Sequence, residues 1–291
     1  MSLPAASAVR TVTDTLGRTG VATPLGDAEL LVAAAAGVSR GVLVLARLDA
    51  AAAARLDGLA QRRAAREPLQ HILGSAGFRH LDLAVGPGVF VPRPETEQVV
   101  EVALARLRTL GVTAPVVVDL CTGSGAIALA IAQEHPSAQV IAVEADAGAL
   151  AWAERNVGAT GLPVRLVRAT ASEALPELDG RVDLVVSNPP YLTAGLELEP
   201  EVGLHDPDVA LWGGGADGLD VVREVEAAAW RLLRPGGVLV VEHGDDQGET
   251  APAVFRARWS GVEAGEDLAG RPRWVTAVRR DEAVVMTAIQ P

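Results

Sequence analysis

Residues Ser187-Asn188-Pro189-Pro190-Tyr191 bring together, within five positions, what is needed to hold a planar –NH2 group. The Asn side chain offers a carbonyl acceptor and an NH2 donor. The two prolines fix φ and withhold an N–H, so they stop a strand and stiffen the turn that follows. Tyr191, the only tyrosine in the chain, adds an aromatic face. A rigid turn presenting an amide, a backbone carbonyl and a ring suits an enzyme that transfers a methyl group to an amide or amino nitrogen.

A second candidate lies earlier. Val118-Asp119-Leu120-Cys121-Thr122-Gly123-Ser124-Gly125 leads from a strand into a helix, and its glycines let the backbone turn sharply beside a ligand. Some way beyond the loop a second strand ends in Glu144, where a carboxylate can accept hydrogen bonds from two ribose hydroxyls. A dinucleotide oxidoreductase uses a similar layout, and a purely structural turn is the plainer alternative. Two features favour S-adenosylmethionine. The spacing is D-x-x-T-G-S-G instead of G-x-G-x-x-G, and Asp119 would repel a pyrophosphate but suits a cationic methionine moiety.

These turns need elements to place them. From Pro115 onward, apolar runs of strand length alternate with helical patterns. Strands are expected over 116–120, 140–144, 164–167, 182–186, 238–242 and 274–279, and helices over 125–133, 147–157 and 221–233, with 234–237 as a turn. The alternation implies an α/β fold with a doubly wound, mostly parallel sheet whose ligands bind at the carboxyl ends of its strands. Residues 1–75 are Ala- and Leu-rich and read as a small helical bundle, one helix opening on Asp27 as N-cap and another running from Asp49 to Arg66. Residues 76–92 read as a β-hairpin linker turning at Gly86-Pro87-Gly88, and 93–291 as the catalytic domain, opening on a helix over 95–107.

Composition bounds the reading. Nearly half of the 291 residues are hydrophobic, which suits a globular chain with a sizeable core. Twenty-five basic against 37 acidic side chains leave a net charge of −12, unfavourable for non-specific nucleic-acid binding. One Cys excludes an internal disulfide, and the five scattered His have no metal-ligand spacing, so no metal is expected. With no signal-like or membrane-spanning apolar run, a cytoplasmic protein with no membrane partner is expected.

Together these residues resemble the release-factor glutamine N5-methyltransferase family, class I S-adenosylmethionine-dependent enzymes. The resemblance spans nearly the whole chain. It rests on Pro68-Leu-Gln-His-Ile-Leu-Gly74, Val91-Pro-Arg-Pro-Glu-Thr-Glu97, Asp119 to Gly125, Ser187 to Tyr191, Gly214-Gly-Ala-Asp-Gly-Leu-Asp220 and Glu242-His-Gly244. It implies methylation of the Gln in the Gly-Gly-Gln motif of class-I peptide chain release factors, with S-adenosylhomocysteine as product, by a monomer whose residues 1–75 recognise the substrate. The catalytic residues would be Asn188, Pro189 and Tyr191, with Pro190, Phe90 and Arg93 also lining the substrate. The cofactor would meet Asp119, Cys121, Thr122, Gly123, Ser124, Gly125, Glu144, Ala171 and Asn188. Cys121 stands where the family usually has Gly, Thr170-Ala171 replaces an acidic-plus-bulky pair beside the adenine, and His205-Asp206-Pro207 replaces the more usual Tyr-Glu-Pro.

In the expected mechanism Asn188 Oδ1 and the Pro189 carbonyl accept the two amide hydrogens of the substrate, and Tyr191 packs over the amide plane. For Tyr191 and Phe90 the alternative is ordinary core packing. Glu242 and His243 are read as a satisfied structural pair. The rival enzyme is an amino methyltransferase acting on a ribosomal-protein glutamine or on adenine N6 of nucleic acid. The latter needs a basic, aromatic-bearing recognition region, and the first 75 residues carry several Arg but hardly any aromatics. A binding module that senses the cofactor without catalysis is the third reading, and the intact Asn-Pro-Pro-Tyr tetrad counts against it.

Overall fold

The computed structural model describes residues 2–281; of the expected catalytic span, residues 282–291 lie outside them. Along the chain, two residue pairs, β1 (Leu3–Pro4) and β2 (Arg47–Leu48), pair antiparallel. β3 (Ser75–Phe78) and β4 (Leu81–Ala84) pair with each other. The main sheet holds β5 (Val116–Leu120), β6 (Gln139–Glu144), β7 (Val164–Arg168), β8 (Val182–Ser187), β9 (Leu233–Glu242), β10 (Trp259–Glu266) and β11 (Pro272–Arg279). Its order is β10-β11-β9-β8-β5-β6-β7, with β5 to β9 parallel and β10 and β11 antiparallel at one edge.

Strand residues alternate between two cores because successive side chains point to opposite faces. Val117, Leu184, Val186 and Val240 pack under the helices Thr96–Leu110 and Ala126–Glu134. Val118, Leu120, Val185 and Val241 pack under the helices Asp220–Leu232 and Thr250–Phe255. Helices on both faces explain why β5 and β8 read as nearly unbroken apolar runs.

The strands differ from expectation in three places. β3 and β4 are joined at Arg79-His80, and Gly86-Pro87-Gly88 turns the chain after β4 instead. Arg79 takes φ +51°, and its guanidinium is tied to Glu134 and Glu101, so tertiary ion pairs hold a turn that glycine would signal elsewhere. Residues 234–237 lie inside β9, whose pairing with β8 shifts register there. The edge strand β10 was not expected; its run Trp-Ser-Gly-Val-Glu-Ala-Gly-Glu is polar and Gly-containing.

The chain forms two compact units among the described residues. One runs to Ser75 and adds Glu197–Asp206; the other holds Ala76–Leu196 and continues from Pro207. In the first, the helices Ala5–Arg18, Pro24–Ala36, Ala50–Ala64 and Leu69–Leu73 enclose Val12, Leu16, Leu31, Leu48 and Leu56. The second of these helices starts at Pro24, so Asp27 is not its N-cap but a buried first-turn residue. Asp27 is there because Arg63, itself buried, donates to it at 2.7 Å.

Arg63 also reaches Glu201 Oε1 at 2.7 Å, and Arg66 reaches Glu201 Oε2 at 2.6 Å, so the inserted segment Glu197–Asp206 is fastened to the helices by charge. Burial opposes ionisation of Glu201, but Arg66 and Arg63 outweigh it and bring its pKa down to about 2. A carboxylate held below its ordinary value stabilises the fold above that value and loses its contribution as the pH falls through the lowered one. Glu201→Gln is therefore expected to cost about 1.5–3 kcal/mol at pH 7, the worth of charge-assisted hydrogen bonds. Denaturant titration should show that deficit shrinking as the pH falls from 4.5 towards about 2; a deficit independent of pH would contradict the ion-pair account.

Candidate active site

Parallel register sets out the site. Leu120 pairs with Val143 on one side and with Ser187 on the other, and Ser187 pairs with Val241. The carboxyl ends of β6, β5, β8 and β9 thus deliver Glu144, the Cys121–Gly125 loop, the Asn188–Tyr191 turn and Glu242 side by side. The order reverses at β5, where such sheets open a crevice for ligands.

The glycine loop winds through positive φ at Cys121 (+60°), Gly123 (+59°) and Gly125 (+85°). Cys121 is a β-carbon residue in a conformation that glycine adopts more cheaply. Asp119 lies buried beneath the loop, where its Oδ2 accepts from Thr122 Oγ1 at 2.5 Å and from the Ala128 N–H at 3.1 Å. Its Oδ1 is shielded and has no hydrogen-bond partner among the described residues. Burial raises Asp119 to about 7 despite Thr122 and Ala128. Glu144 accepts from Gly123 N–H at 2.8 Å and from Asp146 N–H at 2.9 Å, so it braces the loop from the neighbouring strand. Burial first, then the charges of Glu144 and Asp119, push the Cys121 thiol up to about 12, which leaves it protonated and unsuited to nucleophilic work.

Open space lies over Gly123, where an added Cβ would touch nothing. With a shielded, unpartnered carboxylate oxygen beneath and a second carboxylate at the rim, the loop fits a ligand with a cationic amino-acid end and a ribose, and disfavours a pyrophosphate. Ser124 is buried, its carbonyl taken by Asn156 Nδ2 at 2.9 Å. Asn156 also binds both backbone groups of Ala84, a contact that the sequence did not signal. Ala171 is buried just beyond β7, in the core that includes Val143.

In the proline turn, Ser187 anchors the end of β8 by donating to the Leu120 carbonyl at 2.7 Å. Asn188 Nδ2 donates to Thr96 Oγ1 at 3.1 Å. Among the described residues nothing donates to Asn188 Oδ1 or to the Pro189 carbonyl. Tyr191 donates its hydroxyl to Glu242 Oε1 at 3.1 Å, and its carbonyl accepts from Gln247 Nε2 at 2.8 Å. Gln247 Nε2 also holds the Asp217 carbonyl at 2.9 Å, joining the turn to the glycine-rich segment 213–218. A Cβ at Gly213 would run into the Gly218 and Pro190 carbonyls, and one at Gly218 into the Tyr191 carbonyl, so only glycine lets that segment back the turn. Phe90 is half-buried with the Arg93 guanidinium 4.8 Å over its ring. From the same stretch it is Thr96, which sequence reasoning passed over, that reaches Asn188.

Glu242 and His243 are not the pair expected of them. Glu242 engages Tyr191, while His243 Nδ1 meets the Gly244 carbonyl at 2.8 Å. Burial lifts Glu242 to about 7 against the opposing hydroxyl of Thr96, charge of Arg273 and hydroxyl of Tyr191. Burial, then the Glu242 charge, drive the Tyr191 phenol far above its ordinary value, so it stays protonated as a donor. No cluster of three or more His, Cys, Asp or Glu among the described residues is arranged to hold a metal.

The doubly wound sheet, with a carboxylate-flanked glycine loop at its switch point, defines a methyltransferase. Solved structures agree on the fold: a Pyrococcus furiosus methyltransferase is 19% identical with a TM-score of 0.53, covering 76% of this chain and 99% of that one. A Thermus thermophilus 16S rRNA methyltransferase in complex with AdoMet and guanosine is 24% identical with a TM-score of 0.51, covering 71% of this chain and 50% of that one. Residues 80–204 match the methyltransferase small domain and residues 7–74 the PrmC N-terminal domain. The release factor glutamine methyltransferase of Streptomyces coelicolor is 52% identical, covering 92% of this chain and 96% of its own length. That of Mycolicibacterium smegmatis is 50% identical, covering 94% and 97%. A Streptomyces pristinaespiralis 4-amino-L-phenylalanine/4-methylamino-L-phenylalanine methyltransferase is 49% identical over 69% of this chain and 70% of its own. The chain belongs to the release factor glutamine methyltransferase family, whose members are S-adenosylmethionine-dependent enzymes.

Glu144 is placed to be tested first. Glu144→Ala removes charge-assisted hydrogen bonds worth roughly 1.5–3 kcal/mol, so affinity for S-adenosylmethionine should fall about tenfold or more. Calorimetry that returned the wild-type dissociation constant would take Glu144 out of the cofactor site.

Proposed function

We propose that this protein transfers a methyl group from S-adenosylmethionine to the side-chain nitrogen of the Gln in the Gly-Gly-Gln motif of class-I peptide chain release factors, leaving S-adenosylhomocysteine. The observation that carries the reading is a pair of acceptors, Asn188 Oδ1 and the Pro189 carbonyl, unengaged among the described residues, on a stiff turn at the strand end next to the glycine loop. Family membership supports the same substrate.

Asp119, Cys121, Thr122, Gly123, Ser124, Gly125, Glu144 and Ala171 are proposed to hold the cofactor, which supplies an electrophilic sulfonium methyl. An amide nitrogen is a poor nucleophile because its lone pair is delocalised into the carbonyl. Asn188 Oδ1 and the Pro189 carbonyl take its two hydrogens, orient the nitrogen and stabilise the positive charge that develops there. Pro190 and Tyr191 cover the amide plane and exclude water, with Phe90 and Arg93 walling the approach. The N-methyl amide cation is strongly acidic and releases its proton without a dedicated base. The helical unit is proposed to recognise the folded release factor. No helix among the described residues is long and apolar enough to cross a membrane, and a cytoplasmic monomer completes the proposal.

Mass spectrometry of a release factor incubated with cofactor and protein should find one methyl group on the Gly-Gly-Gln peptide. DNA, ribosomal protein and 4-amino-L-phenylalanine serve as rival acceptors, the last because a relative is named for it. Methylation of a rival and not of the release factor would replace the reading. Asn188→Ala should keep cofactor affinity while single-turnover methylation slows by about a hundredfold or more, the scale of losing one preorganised electrostatic contact. A near wild-type rate would defeat the mechanism even with the substrate confirmed.

A further inference from the structure

Asn156 is buried late in the helix Ala147–Thr160 and has no part in the chemistry described above, yet its carbonyl and both its N–H groups are engaged. Its Oδ1 accepts from the Ala84 N–H at 2.8 Å, and its Nδ2 donates to the Ala84 carbonyl at 3.1 Å. Ala84 is the last residue of β4, so the amide stands in for a neighbouring strand. The remaining N–H goes to the Ser124 carbonyl at 2.9 Å, inside the glycine loop. Only a primary amide meets this set of partners. A carboxylate has no proton to donate, a hydroxyl has one, and a reversed amide would set N–H against N–H.

The same helix touches both partners again. A Cβ at Gly125 would lie 3.6 Å from the Ala153 Cβ, so the last glycine of the loop runs close over the helix. On the other side, the Trp152 indole donates to the Pro87 carbonyl at 3.3 Å. A Cβ at Gly86 would fall 2.7 Å from the Trp152 ring, so the chain passes there only as glycine. Val85, Val89 and Val91 are buried with Ala149 and Trp152 in one small core. Ala149, Trp152 and Asn156 follow at i, i+3 and i+7, the spacing of one helix face. The chain from Ala84 to Val91 is laid along that face, and it carries Phe90 and leads to Arg93.

We propose that Asn156 is a positioning residue that seats the cofactor loop and the substrate-facing segment 84–93 on one helix, so that a single side chain fixes the spacing between the two reactants. The substrate half rests on the role given to Phe90 and Arg93 above; the cofactor half does not. Methyl transfer needs the acceptor nitrogen and the sulfonium methyl in near-attack placement, which a displacement on the ångström scale far from the chemistry can spoil. A common backing holds that placement without either ligand having to order the other.

Two substitutions, neither at a group that meets a ligand, pull the halves apart. Asn156→Leu keeps the branched shape and removes all three hydrogen bonds. In full-length, folded protein it should weaken S-adenosylhomocysteine binding in calorimetry about three- to tenfold, the scale of one lost hydrogen bond. At saturating S-adenosylmethionine it should also slow single-turnover methylation of a class-I release factor about ten- to a hundredfold. Gly86→Ala forces the segment off Trp152 and leaves Ser124 alone. It should slow methylation on the same scale with wild-type cofactor affinity. Since both variants release one segment, their rate effects should not add, and the double variant should be no slower than the slower single one.

Unchanged cofactor affinity in Asn156→Leu, a wild-type rate in Gly86→Ala, or rate effects that multiply in the double variant would each overturn the proposal. Should Asn156→Leu fail to fold, Gly86→Ala decides by itself: a slowed rate at unchanged cofactor affinity is expected, and a wild-type rate overturns it. Wild-type protein that left the release factor unmethylated would overturn the substrate reading instead, and calorimetry would still test the cofactor half.

Discussion

A carboxylate at the end of a strand buried on both faces must find donors, and Glu242 finds one in the only tyrosine of the chain. That contact ties the working turn to β9, while Ser187 ties it to β5 and Gln247 ties its backbone to the glycine-rich segment behind it. The turn is therefore held from three directions by groups that cannot easily move. Two of its acceptors, Asn188 Oδ1 and the Pro189 carbonyl, stay unspent among the described residues. A turn fastened in this way can present acceptors without reorganising them, which is what electrostatic catalysis requires.

Holding acidic groups in this way works against folding. Asp119 and Glu242 are both buried and both raised to about 7, chiefly by desolvation. A carboxyl raised above its unfolded value opposes folding when it ionises. Its penalty is absent at low pH, grows as the pH rises from the ordinary carboxylate range and is complete above the raised value. The two apolar layers of the sheet outweigh this penalty, with strands such as Val182–Ser187 buried at every position. Perturbed carboxyls thus sit at the carboxyl ends of the strands, where the proposed chemistry lies, as is common of functional sites.

Local order was legible in the sequence and distant partnership was not. Val116–Leu120 stands where its apolar run placed it, because a central parallel strand needs no polar alternation. The glycine loop and the proline turn were readable because Gly and Pro act on the backbone at their own positions. Thr96 was missed because it lies 92 residues from Asn188, with only a hydroxyl to advertise it. Gln247, 56 residues beyond Tyr191, was hidden for the same reason. The hairpin turn was misplaced because ion pairs, not glycine, hold Arg79 at positive φ. Nothing in the run 197–206 hinted that Glu201 would be claimed by Arg63 and Arg66.

The central claim is that Asn188 and Pro189 meet the substrate through its nitrogen. A crystal structure of the protein with S-adenosylhomocysteine and a release-factor peptide carrying N5-methylglutamine tests it directly, because the methyl group marks which end of the amide is nitrogen. The account predicts that the methyl-bearing nitrogen lies within about 3 Å of Asn188 Oδ1 or the Pro189 carbonyl, a hydrogen-bonding distance, with Asn188 Nδ2 still on Thr96. A peptide bound with its amide oxygen against Asn188, and the methylated nitrogen turned away from both acceptors, would contradict it.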